Sequence, residues 1–288
     1  MVTTFPAWLP GPLIDGEQLR HWGLSEVWRV RLGGPEPRSV IVKRGTGDEA
    51  REARSYRDLV VPLGIAAPEV LAATGGDDGE PMVLVLADVG PQTLEQRPTA
   101  DGYRAAVRAL ARMRAVAAAR LAQDPSIGAG LRRTTADFVD DAERADLGFS
   151  VRVLVDRLDR LAGAPPTIVH DDYHAKNLIH TAEGGIVPVD WSGAYLHPHL
   201  GDLYCLIREA DNLGLPTAEL PGVYAREAGV DPGWVADQVV TGGMCWTVTT
   251  LRWLAEEGLQ AIPESRDWIP GLVAELRNLA EPPGQMGT

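Results

Sequence analysis

A chain of 288 residues is long enough for one large domain or two lobes with an ample core. Its 45% hydrophobic and 23% charged residues are ordinary for a globular protein, and a formal charge of −13 disfavours nucleic acid and anionic membranes as partners. No run of roughly 18 apolar residues occurs, the N-terminus lacks a basic-then-apolar secretory pattern, and Cys205 and Cys245 sit in apolar helical patterns as buried free thiols, so a cytoplasmic setting is expected.

Residues 1–20 carry Pro6, Pro10, Gly11 and Pro12 and read as an irregular arm leading to a short polar segment. Gly23-Leu24-Ser25-Glu26 then makes a turn before Val27–Leu32, where apolar and polar residues alternate with the period of a strand. A Gly-Ser turn between strands lets backbone N–H groups approach phosphate; it is equally an ordinary hairpin turn. Neither G-x-G-x-x-G nor G-x-x-x-x-G-K-[ST] occurs, so no dinucleotide-binding or P-loop fold is signalled. After Gly33-Gly34-Pro35, Ser39–Arg44 is a β-branched strand closing on Lys43-Arg44. An ammonium at the end of a buried strand needs a partner or must snorkel to water. A helix follows from Asp48 to about Leu63, with Glu49 and Glu52 on neighbouring positions of one face. Pro62, Gly64 and Pro68 end it. Val70–Ala73 and Met82–Leu86 read as two strands joined by a polar turn, and the second runs into Ala87-Asp88-Val89-Gly90.

From residue 99 the texture turns helical. Thr99 and Asp101 are N-cap candidates for a helix to about Leu121, along which Arg104, Arg108 and Arg112 form a solvent-facing stripe. Helical patterns follow around 134–147 and 150–162. The first carries Asp137, Asp140, Asp141, Glu143 and Asp146, a solvated face or a receiver for the amino groups of a cationic substrate.

Thr167 to Trp191 has the layout of an active site. The apolar runs Thr167–Val169 and Ile186–Val189 end in His170-Asp171-Asp172 and in Asp190, and Asn177 stands five residues after Asp172. Short buried strands hold a backbone still while polar side chains project from their ends. A loop carboxylate can orient a substrate hydroxyl and take its proton. An amide oxygen and a second carboxylate are hard ligands suited to Mg²⁺, which shares its remaining positions with phosphates. Asp172, Asn177 and Asp190 therefore suit phosphoryl transfer from a Mg-nucleotide. Downstream, Asp202 sits near a helix N-terminus, where capping and the dipole favour a carboxylate. Helical segments near 217–228, 232–259 and 265–281 complete the chain, with Trp246, Trp253 and Trp268 as core or pocket-wall residues. His197 and His199 form only an H-x-H pair, so no zinc site is signalled.

His170-Asp171-Asp172-Tyr173-His174 with Asn177, followed by Val189-Asp190-Trp191, resembles the H-G-D-x-H-x-x-N and I-D-W strings of the aminoglycoside phosphotransferase and choline kinase-like family. The departure is Asp171, where the family has glycine. The resemblance implies an α+β, bilobal protein-kinase-like fold: a small β-rich N-lobe over residues 1–88 and a larger, mostly helical C-lobe over 89–288. It makes Lys43 the residue that holds the α- and β-phosphates, with Glu52 as its helix partner and Glu49 as the alternative. Gly23-Leu24-Ser25 resembles the family's reduced phosphate loop, which puts Ser25 at the nucleotide. Ala87 and Val89 stand in the segment that offers backbone groups to the base. Asp172 becomes the base or hydroxyl-orienting residue, Asn177 and Asp190 the Mg²⁺ ligands, and Asp202 a brace for the catalytic loop. His174 is a loop brace or an acid/base group, and Lys176 is a phosphoryl-stabilising or surface charge. Asp211, Glu256 and Glu257, on late helices, are candidate substrate contacts. The expected activity is transfer of the γ-phosphoryl group of ATP (or GTP), with Mg²⁺, to a hydroxyl of a small molecule. The acceptor would be an antibiotic or related natural product, and the protein a monomer or homodimer. The alternatives are a choline-, homoserine- or sugar-type metabolite kinase and a non-catalytic nucleotide-binding protein.

Overall fold

The computed structural model describes residues 9, 11–35, 38–77, 80–145 and 151–281. A five-stranded antiparallel sheet opens the chain: β1 (Leu13–Trp22), β2 (Ser25–Leu32), β3 (Arg38–Gly45), β4 (Val70–Thr74) and β5 (Met82–Ala87), in the order β1-β2-β3-β5-β4. Alternation sorts the side chains of β2 and β3. Val30, Leu32, Val40 and Val42 pack with Val85 of β5 on one face, while Val27, Arg29, Ile41 and Lys43 look into a cleft on the other. The segment read as an irregular arm is corrected in part, because residues 13–22 form β1. It is an edge strand with exposed Leu13, Ile14 and Leu19, so no buried face imposes the alternation that marks a strand in sequence. Pro6 and Pro10 lie outside the described residues.

Between β3 and β4 the chain is helical over 47–63 and stops at Gly64, in the left-handed conformation with φ 65°. Leu59 and Leu63 of this segment join Leu84 and Leu86 of the sheet, Leu110 of the helix Ala100–Gln123, and Trp191 and Leu203 in one apolar core. The sheet therefore rests on the helical region through shared side chains rather than through a linker alone.

The helix Ala100–Gln123 starts where expected. Thr99 Oγ1 accepts the N–H of Gly102 at 3.1 Å, and Tyr103, Ala106, Val107, Leu110, Ala117 and Leu121 form its buried stripe. Arg114 of that helix is also buried, and it donates to the carbonyls of Ile168 (2.8 Å) and Pro198 (2.6 Å). It thereby fixes β6 (Ile168–Val169), which pairs with β9 (Tyr195–Leu196). β7 (Leu178–His180) pairs with β8 (Ile186–Pro188), and the stretch after β5 lies against β7, with the N–H of Leu94 on the carbonyl of Leu178 at 2.8 Å. Helices Gly201–Asn212, Leu220–Ala228, Pro232–Trp253 and Ile269–Ala280 complete the helical region. Among the described residues no helix is long and apolar enough to cross a membrane.

Candidate active site

The site is built from the ends of β3, β6 and β8. Lys43 points off the cleft face of β3 and is 4% exposed. Its ammonium meets Glu49 Oε2 and Glu52 Oε2, each at 2.8 Å, and Asp190 Oδ1 at 2.5 Å. Both acids of the helical segment therefore reach the lysine, rather than one or the other. Glu52 also accepts the N–H of Trp191 at 3.0 Å, which ties that segment to the residue after Asp190. Burial opposes the lysine's charge, but the three carboxylates hold its pKa well above the usual value. Asp190 stays below its ordinary value because Lys43 outweighs its burial. The acids share one cation between them, and burial pushes Glu49 up to about 7.

The loop that carries Asp172 follows β6. Asp202 accepts the N–H of His170 at 2.9 Å and of Asp171 at 3.0 Å, so a helix-terminal carboxylate holds the loop backbone from below. Tyr173 is fully buried and donates to the carbonyl of Ala106 at 3.1 Å, and Glu209 takes the N–H of Ala175 at 2.8 Å. These anchors leave Asp172 partly exposed between Lys176, at 3.0 Å, and His174, at 3.6 Å. Burial resists ionisation of Asp172, yet Lys176 and His174 hold it well below the ordinary carboxylate range. Asn177 Nδ2 donates to the carbonyl of Asp172 at 3.0 Å and to its Oδ2 at 2.7 Å. With the amide nitrogen so engaged, Asn177 Oδ1 is the atom left for a cation.

Asp171 takes the left-handed conformation, with φ 72°. A glycine would adopt this backbone at no steric cost, and Asp tolerates it better than most residues. Its side chain leads away from the cleft. Gly201 donates its N–H to His199 Nδ1 at 3.0 Å, so the proton of this buried, neutral imidazole is on Nε2. Nε2–H then donates to the Tyr195 hydroxyl at 2.9 Å, and the hydroxyl proton is directed to Asp171 Oδ1 at 3.4 Å. Burial pushes Asp171 up to about 7, against the nearby Arg133 and with help from Asp202 and Asp172.

A cleft of about 300 Å³ is lined by Lys43, Glu52, Ala87, Val89, Asn177 and Asp190, six of the residues singled out in the sequence. Asp172 adjoins it through Asn177. Ser25 is not in the lining; it is 3% exposed and its hydroxyl is turned into the protein. Asp88 accepts the N–H of Gly90 at 3.3 Å and also pairs with Arg29 at 2.7 Å. Three acidic residues of the helix Thr135–Arg144 have partners within the protein, Asp137 as the cap of Thr134, Asp140 with Arg144, and the buried Asp141 with Arg133 and Arg252, while Glu143 is exposed. Asp146 lies outside the described residues. Glu256 pairs with Arg144 and Arg252. Asp211 lines a separate cavity of about 570 Å³ with Tyr204, Arg208 and Glu275. Trp246 packs edge-on to His174, whereas Trp268 is half exposed rather than core. Arg20, Tyr195 and His199 went unassigned in the sequence. Arg20 lay in the supposed arm, and the other two carry no signal before the loop is folded.

The sequence profile of the phosphotransferase enzyme family matches residues 17–236, and the chain belongs to that family. It is a small-molecule phosphotransferase that acts on a hydroxyl group. The fold is similar to that of aminoglycoside 2'-phosphotransferase-IIIa, solved with GDP, at 16% identity over 93% of each chain and a TM-score of 0.61. A thermostable mutant of aminoglycoside phosphotransferase APH(4)-Ia, solved with AMP-PNP and hygromycin B, gives 14% identity, 93% of each chain and 0.60. Plasmodium vivax ethanolamine kinase gives 12% identity over 94% of this chain and 82% of its own, with 0.59. None of the curated proteins matches the chain.

Proposed function

We propose that the protein transfers the γ-phosphoryl group of ATP or GTP to a hydroxyl of an antibiotic or similar natural product, of aminoglycoside or nucleoside type, in the cytoplasm. Such a reaction would give resistance or self-protection. The observation that carries this reading is one cleft bounded by Lys43 and Asp190, with Asn177 on its wall holding Asp172 by two hydrogen bonds. Residues 1–88 and 89–288 are the two lobes, and the nucleotide lies between them. Ala87 and Val89 offer backbone groups to the base. Lys43, held by Glu52 and Glu49, neutralises the α- and β-phosphates. Ser25 supports the turn from within rather than touching the nucleotide.

The donor set fits Mg²⁺. Asn177 Oδ1 and the Asp190 carboxylate are two hard oxygens, the small protein share typical of this ion. Among the described residues no group of three or more His, Cys, Asp or Glu gathers as an alternative metal site. When bound, Mg²⁺ would supply charge neutralisation on the phosphates. Asp172, held ionised, accepts a hydrogen bond from the substrate hydroxyl, aims it, and takes its proton as the new P–O bond forms and the bridging bond from the γ-phosphorus to the β-phosphate oxygen breaks, the nucleoside diphosphate leaving with that oxygen. Lys176 faces the same carboxylate and stands ready to balance charge on the moving phosphoryl group. Positioning supplies most of the rate in such a site.

The full-length protein, given Mg-ATP or Mg-GTP and a panel of aminoglycosides, nucleosides and hydroxylated metabolites, should yield one product heavier by about 80 Da, the mass of the transferred group. Asp172→Asn and Asp190→Ala should abolish that product; its survival in both would overturn the assignment. Growth of a sensitive host across antibiotic classes identifies the acceptor. A small-metabolite kinase is the second reading, favoured by the similarity to ethanolamine kinase at 0.59, next to 0.61 for the aminoglycoside enzyme.

A further inference from the structure

Three features of the sheet's outer edge converge on Arg20. The register of β1 on β2 slips between Gln18, opposite Trp28, and Arg20, opposite Val27, so Leu19 is an extra residue. A bulge of this kind re-aims side chains, and here both Leu19 and Arg20 line the cleft, which strict alternation would forbid for consecutive residues. Arg20 Nη1 lies 3.4 Å from Asp190 Oδ2, while Lys43 holds Asp190 Oδ1 at 2.5 Å. Arg20 is also close enough to Lys176 for the two charges to repel. Three cations, from β1, β3 and the catalytic loop, thus surround the space in front of Asp190.

The turn between β1 and β2 stands outside the cleft lining, packed against neighbouring segments. The carbonyl of Leu24 accepts the N–H of Thr46 at 2.9 Å, the Ser25 hydroxyl is buried, and a Cβ built on Gly23 would stand 4.0 Å from the Cα of Ala261. None of Gly23, Leu24 and Ser25 lines the cleft.

We propose that Arg20 is a phosphate ligand of the nucleotide site, doing with a side-chain guanidinium what the turn does not do with its backbone. A guanidinium presents several donors in a fork that matches phosphate oxygens, and this one is 38% exposed and so reachable. It leaves Asp190 Oδ2 for the terminal phosphates as the nucleotide enters. The inference rests on the phosphotransferase reading of the cleft and adds a residue to it.

Calorimetric titration of the full chain with Mg-ATP, Mg-GTP and the two nucleosides needs no knowledge of the acceptor. Arg20→Gln should weaken the preferred triphosphate about tenfold, the size of one lost charge-assisted hydrogen bond, and leave its nucleoside unchanged. Arg20→Lys should fall between Arg20→Gln and the wild type. Arg31→Gln, on the same sheet but paired with Asp15 outside the cleft lining, removes the same charge and should bind as the wild type does. If the wild type prefers triphosphate to nucleoside and Arg20→Gln keeps that preference in full, Arg20 is not a phosphate ligand. Equal losses in Arg20→Gln and Arg31→Gln would likewise overturn the proposal by showing a general charge effect. A wild type that binds no nucleotide would bring down the phosphotransferase reading itself.

Discussion

Among the described residues only two non-glycine positions have positive φ, and both are aspartates at the ends of short strands: Asp171 at 72° and Asp190 at 70°. Their backbones match and their surroundings differ. Asp190 faces the cleft, with Lys43 on one oxygen and Arg20 on the other, and it is held ionised. Asp171 faces the helical region, receives one long hydrogen bond from Tyr195, and is pushed up to about 7. Burial acts against the charge of both. The difference is where the chain places a lysine: at the carboxylate proposed to hold Mg²⁺, and not at its counterpart.

The largest expected effects lie on the cleft side. Asp172→Asn keeps the hydrogen bonds to the backbone anchors but cannot take a proton, so turnover should fall on the order of 10²–10⁴-fold in the transfer assay. The loop backbone should keep its place, because Asp202, Tyr173 and Glu209 hold it without that carboxylate. Lys43→Met acts on stability as well as on activity. It strands Glu49 and Glu52 beside Asp190, and removing one partner from a buried ionic cluster costs about 3–5 kcal/mol. The deficit should shrink as pH falls below about 7, where those acids can bind protons, and grow above it. A deficit equally large at pH 5 and pH 8 in denaturant titrations would show that the lysine's packing matters and its charge does not.

The cleft side was largely legible in the sequence because its chemistry repeats at short spacings. Asp172, Asn177 and Asp190 lie within one hairpin, and Lys43 ends a β-branched strand just before a helix rich in acids. What was not legible depends on folding. Glu52 is the partner the sequence favours over Glu49, and the structure uses both. β1 has no buried face and so no alternation, which hid Arg20. Ser25 was placed by loop type, but the direction of its hydroxyl is set by packing. Asp137, Asp140 and Glu143 are exposed, as the solvated-face reading expects, but Asp141 is buried, and Arg252, which neutralises it, is more than a hundred residues away. Asp171 stood out as a departure from glycine, but its partners Tyr195 and His199 arrive from another strand and the turn beyond it.

On the helical side the effects are smaller and depend on pH. A carboxyl whose pKa is raised in the folded state favours folding while protonated, and that contribution is lost as pH climbs from the unfolded value near 4 through about 7. Asp171→Asn retains a residue that tolerates positive φ and has no charge to bury. Relative to the wild type, its stability should therefore be close to unchanged at pH 5 and higher at pH 8, by on the order of 1–2 kcal/mol. The same offset at both pH values would mean that Asp171 is ionised throughout, and the contrast with Asp190 would disappear.

The smallest effect tests the direction of the hydrogen-bond chain. Gly201 commits His199 Nδ1 as an acceptor, so His199 Nε2–H must donate and Tyr195 must pass its own proton toward Asp171. Tyr195→Phe removes the acceptor of a buried N–H and the donor to a carboxyl, with little change of shape. An unsatisfied buried donor costs about 1–2 kcal/mol, nearly independent of pH, because His199 is held neutral by burial. The second loss is pH-dependent, since a hydroxyl stabilises a carboxylate more than a carboxylic acid. At 3.4 Å that bond is long, and the added deficit at pH 8 over pH 5 should be no more than about 0.5 kcal/mol. A double-mutant cycle of Tyr195→Phe with Asp171→Asn isolates it. Coupling that appears at high pH supports a proton directed at Asp171, whereas no coupling at high pH would place the tyrosine proton on His199 instead.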